Sequence, residues 1–144
     1  MIGALLREKR VVRARDRAFA VLDLLGLKDK ARRISGELPI PLRKRLEVAK
    51  AMATDPKVLL LDEVMAGLNP TEVEELIALI RRINETGPSI LLIEHVMRGV
   101  MALSQRVIVL NYGRQIASGR PEDVVRDEQV IEAYLGKEFV CAAG

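Results

Sequence analysis

The sequence predicts an α/β fold, a parallel sheet flanked by helices, with a helical segment before it and a hairpin and helix after it. Three observations carry this expectation. Val58-Leu59-Leu60-Leu61 and Ile90-Leu91-Leu92-Ile93 are unbroken aliphatic runs, the pattern of strands covered on both faces. Between them, from about Thr71 to Asn84, the apolar residues return at helical spacing. Gly87-Pro88 then punctuates the return, which completes a βαβ unit and makes the sheet parallel there.

The elements follow in order. From about Val11 to Leu25, Val12, Ala18, Val21, Leu22 and Leu25 fall near helical spacing, and Gly26 is placed to end that helix. Leu38-Pro39-Ile40-Pro41 interrupts regular structure, because each proline lacks a backbone donor and biases its predecessor toward extended geometry. A new helix is expected from Leu42 to Thr54, with Arg43, Lys44 and Arg45 in its first turn and Asp55-Pro56 closing it. Beyond the second aliphatic run, a helix from about Val96 to Ser104 precedes Val107–Leu110, the turn Asn111-Tyr112-Gly113-Arg114 and Gln115–Ser118, a hairpin signal. Pro121 opens a short helix, and a last helix runs from about Gln129 to Leu135 and ends at Gly136.

Composition bounds the function. The chain has 144 residues, 49% hydrophobic and 30% charged, enough for one ordinary core. Aromatic residues make up 3% and Trp is absent, which argues against base-stacking platforms. No apolar run approaches the roughly 20 residues of a membrane span, and Arg7 arrives too early for a secretory leader, so a cytoplasmic location is expected. Cys141 is the single cysteine and has no neighbouring ligand set, so neither a disulfide nor a metal site follows from it. The net charge of +3 hides an asymmetry, with residues 1–50 carrying +8 and residues 51–144 carrying −5. A basic stretch such as Arg7 to Arg17 could attract nucleic acid or anionic lipid, but charge runs on helices are more often solvated faces, and no nucleic-acid partner is expected.

In open α/β sheets function gathers at the carboxyl ends of strands, which here are Asp62-Glu63 and Glu94-His95. The run ending in Asp62 has the form of a Walker B motif, whose carboxylate helps to hold a magnesium ion on nucleotide phosphates, here through water. Glu63 is placed to polarise a water for in-line attack. The plainer alternative is that both acids only favour the next helix N-terminus. For His95, the only histidine, it is a structural hydrogen bond.

The continuation favours the chemical reading of the acids. Asp62-Glu63-Val64-Met65-Ala66-Gly67-Leu68-Asn69-Pro70 resembles the Walker B and D-loop segment of ABC ATPases, with Val64 in place of the usual proline. Gly119-Arg120-Pro121-Glu122-Asp123-Val124 and Val130-Ile131-Glu132-Ala133-Tyr134-Leu135-Gly136 resemble the C-terminal extension of branched-chain amino acid ATP-binding subunits. The resemblance implies a P-loop NTPase-like core, ATP and magnesium as cofactors, His95 as the switch histidine contacting the γ-phosphate, and Gly67, Leu68 and Asn69 in a loop crossing a dimer interface. It further implies membrane permease subunits and a second ATP-binding subunit as partners, at the cytoplasmic face of the membrane. It divides the chain into a helical subdomain segment at 1–37, the later part of an ATPase core at 38–119 and the extension at 120–144.

Two features depart from the family. Pro39, Ile40 and Pro41 stand where the ABC signature has a serine and glycines that face the opposite subunit's ATP, so the donors of that motif are reduced. No G-x-x-x-x-G-K-[ST] phosphate cradle occurs in the sequence, since Gly3, Gly26 and Gly36 lack the Gly-Lys-Ser/Thr continuation. The adenine-stacking aromatic and the glutamine loop would also lie upstream of Met1. Phosphoryl transfer is almost wholly positioning and charge stabilisation, so the chain alone is expected to be inactive. The alternative is a non-catalytic module docking on a transporter complex.

Overall fold

The computed structural model describes the backbone of residues 2–135 and the side chains of residues 11–134. Two compact units divide at Ile93 and Glu94, a boundary inside the 38–119 segment expected from sequence.

The first unit opens with α1 (Ile2–Leu24), nine residues earlier than its apolar spacing suggested. Its end is a Schellman motif: Gly26 N–H donates to Asp23 and Leu27 N–H to Leu22, with Gly26 at φ +66°. Leu25 and Leu27, on either side of the turn, are buried. α2 (Ile40–Met52) begins two residues before the expected Leu42, with Pro39 as its N-cap. Pro41 belongs to the first turn and breaks nothing, because the amides of that turn have no partner inside the helix in any case.

β1 (Val58–Asp62) and β2 (Ser89–Ile93) pair in parallel, Leu60 opposite Leu91 and Asp62 opposite Ile93. α3 (Pro70–Glu85) makes the crossover between them. Val73, Leu76, Ile77, Ile80 and Ile83 form its buried stripe, the i, i+3, i+4 spacing of an amphipathic helix. The buried residues of this unit include Leu59 and Leu61 from β1 and Val48 and Met52 from α2.

The sheet corrects one expectation. β1 alternates exposed and buried, and Val58, Leu60, Leu91 and Ile93 are all more than half exposed. Among the described residues only one face of the parallel pair is covered. A continuous aliphatic run signals a strand made for burial on both faces, but the layer that would cover the second face is not among these residues.

The second unit contains α4 (Met97–Leu103), β3 (Val107–Asn111), β4 (Arg114–Gly119), α5 (Pro121–Val124) and α6 (Glu128–Leu135). β3 and β4 form the expected antiparallel hairpin. Tyr112 and Gly113, both at positive φ, make its tight turn, and a bulge lies between Val109 and Leu110. Ala117, Val124 and Val130 form its core, with Val107, Val109 and Ile116 packed against it. Gly136 and Cys141 lie outside the described residues. Among those described, no helix is long and apolar enough to cross a membrane.

Candidate active site

The carboxyl end of the parallel pair is built by register. Asp62 closes β1 on the alternation shared by Val58 and Leu60, so it lies on the open face of the sheet and is exposed. Continued alternation would send the next side chain to the buried face with Leu59 and Leu61. Glu63 instead turns into the left-handed region at φ +46° and stays exposed.

Three hydrogen bonds hold that turn. The Glu63 N–H donates to the Ile93 carbonyl at 2.9 Å, extending the β1 and β2 pairing by one bond. The Glu63 carbonyl accepts from the Ala66 N–H at 3.2 Å and from Lys44 Nζ, also at 3.2 Å. Lys44 reaches it from the second turn of α2, and an ion pair between Arg45 and Glu75 ties the same part of that helix to α3.

After the acids the chain folds back on itself. Val64 and Met65 are buried, so the residue standing in place of the family's proline is an anchor of the loop. Gly67 takes φ +78°, a conformation that costs glycine little. Asn69 then caps α3: its side chain accepts from the Glu72 N–H at 3.0 Å, and its own N–H donates to Glu72 Oε2 at 2.9 Å. With Pro70 at the first helical position, this is a capping box. Gly67, Leu68 and Asn69 therefore sit directly between the strand-end acids and the helix.

In the second unit, Glu94 Oε2 accepts from the backbone N–H of His95 at 3.2 Å and of Val96 at 3.5 Å. His95 is exposed and lies just ahead of α4. Asp62 and Glu63 belong to the first unit and His95 to the second. Pro39 and Ile40 are exposed and Pro41 half-buried at the start of α2.

In the sequence Lys44 belongs with Arg43 and Arg45 to the basic start of a helix, and its tie to the Glu63 carbonyl appears only in the structure. The available signal was spacing, since Lys44 lies one turn before buried Val48 and so on the helix face that turns toward the protein.

The chain matches known proteins in sequence and in fold. A family profile described as "Branched-chain amino acid ATP-binding cassette transporter" matches residues 114–140. The high-affinity branched-chain amino acid transport ATP-binding protein LivG of Escherichia coli (strain K12) is 45% identical over 125 residues, 86% of this chain and 49% of the relative. BraF of Pseudomonas aeruginosa, described in the same words, is 43% identical over 117 residues, 81% of this chain and 46% of the relative. Among solved structures, the ADP conformation of MJ1267, an ATP-binding cassette of an ABC transporter, superposes with a TM-score of 0.80 at 29% identity. It covers 87% of this chain and 51% of that one. The chain thus spans about half the length of the curated relatives it matches. By sequence and fold together, the chain belongs to the family of ATP-binding subunits of branched-chain amino acid ABC transporters.

Proposed function

We propose that this chain forms the later half of a cassette that binds and hydrolyses ATP to drive import of branched-chain amino acids. The observation that carries the reading is the end of β1, where two exposed acids close a strand covered on one face and the second is held off the strand's alternation by hydrogen bonds to its backbone. Glu63 acts as the general base, accepting the proton of the attacking water. His95 contacts the γ-phosphate, and Gly67, Leu68 and Asn69 face a second ATP-binding subunit.

The residues present fit a magnesium ion in part. Asp62 offers an exposed carboxylate at a strand end, the oxygen chemistry the ion prefers, and would hold it through water. Among the described residues no cluster of three or more His, Cys, Asp or Glu gathers, so the other ligands would be phosphate oxygens and water. When bound, the ion supplies positive charge to the phosphate oxygens. The phosphate cradle must come from residues outside these 144, and the chain by itself is inactive.

Membrane permease subunits are the partners this reading requires, at the cytoplasmic face of the membrane. The test is a cassette completed with the N-terminal half of LivG. There Glu63→Gln lowers turnover by about 10²- to 10⁴-fold, the usual contribution of a general base. Unchanged turnover would remove Glu63 from the mechanism.

A second reading, a non-catalytic module docking on a transporter complex, is favoured by Pro39 and Pro41, which leave the start of α2 short of backbone donors. Co-purification with a permease regardless of ATP would support it.

A further inference from the structure

We propose that Lys44 is a positioning residue for Glu63, holding through the backbone carbonyl the turn from which the Glu63 side chain departs. The inference rests on the reading of Glu63 as the base. A glutamate at φ +46° occupies a region that side-chain-bearing residues rarely adopt, and it persists only where surrounding bonds over-determine it. Here the N–H is held by Ile93, and both lone pairs of the carbonyl are taken, one by the Ala66 N–H and one by Lys44 Nζ.

The first two bonds are local to the sheet end and its turn. The third comes from α2, 19 residues earlier in the chain, whose position is fixed by buried Val48, Ala49 and Met52. Lys44 therefore ties the turn at Glu63 to α2. Without the ammonium donor the Glu63 carbonyl loses its tie to α2 and keeps the local bond from the Ala66 N–H, so the turn is held less firmly.

The test uses the chain as it stands, with ¹³C and ¹⁵N labelling. Lys44→Met is expected to shift the Glu63 carbonyl ¹³C and Ala66 amide signals, and Lys44→Arg, which keeps a long cationic donor, restores them. Arg45→Met, which breaks the neighbouring tie to Glu75, lowers the midpoint of thermal unfolding but leaves those signals in place. Should Lys44→Met fail to fold, Lys44→Leu serves in its stead.

In the completed cassette, Lys44→Met lowers kcat about ten- to a hundred-fold with little change in KM, as misplacement of a reacting group does, and Lys44→Arg recovers it. Glu63 signals indifferent to loss of the Lys44 donor, or moved equally by Arg45→Met, would overturn the proposal. Turnover indifferent to Glu63→Gln would instead sink the reading of Glu63 as base, whatever the spectra show of Lys44.

Discussion

Asn69 shows how much one side chain can settle in this molecule. It ends the loop that follows the acids and starts α3, and the reciprocal bonds with Glu72 satisfy two backbone donors at that junction. Asn69→Ala removes the side-chain acceptor and leaves the Glu72 N–H to water. The expected cost is about 0.5–2 kcal/mol, the usual range for loss of an N-cap, read as a lower urea midpoint at an unchanged slope. An unchanged midpoint would mean that Pro70 and the buried stripe alone fix the start of the helix. The signal for this cap is local, Asn69-Pro70 ahead of an apolar stripe, although the sequence reading assigns Asn69 only to the loop and starts the helix at about Thr71. The left-handed turn at Glu63 has no such signal, because glutamate has no preference for it and the bonds that impose it come from Ile93 and Lys44, residues distant in sequence.

Adjacent positions of β1 have opposite energetics at the scale of elements. Leu59 is 2% exposed and Leu60 66% exposed, although the two are chemically identical and sit in one aliphatic run. Leu59→Ala is expected to cost about 2–5 kcal/mol through lost burial and an incompletely collapsed cavity. Leu60→Lys should change stability by no more than about 0.5 kcal/mol, since the side chain already meets water. Chemical denaturation of the two variants checks both statements, and a large loss at Leu60 would mean that something covers the open face in solution. The run Val58–Leu61 announced a strand but not which face is covered here, since periodicity disappears when a strand is designed for burial on both sides. By contrast, α3 and the β3 and β4 hairpin were readable almost to the residue, since an amphipathic stripe and a tight turn at Tyr112-Gly113 leave their pattern in contiguous sequence.

On the proposed reading, the whole molecule presents the end of a nucleotide-handling sheet, and its sequence contains no phosphate cradle. The groups assigned to it on that reading act late in phosphoryl transfer, an acid at a strand end and a carboxylate suited to a hard cation, and such groups contribute little ground-state affinity on their own. Affinity for a triphosphate comes chiefly from a ring of backbone N–H groups and a lysine around the phosphates, and no glycine in the sequence begins such a loop. The start of α2 offers weak compensation, since Pro39 and Pro41 carry no N–H. Titration calorimetry of this chain with magnesium and ATP is therefore expected to show no saturable site up to millimolar nucleotide, the upper end of ordinary substrate constants. Linking the chain to the N-terminal half of LivG should create a saturable site, and Asp62→Asn should weaken it more in the presence of magnesium than in its absence, because that carboxylate acts through the ion. A micromolar site on the chain alone would show that the strand ends and the first turn of α2 hold a triphosphate without a cradle. The division of labour proposed for Asp62, Glu63 and His95 would then have to be drawn afresh.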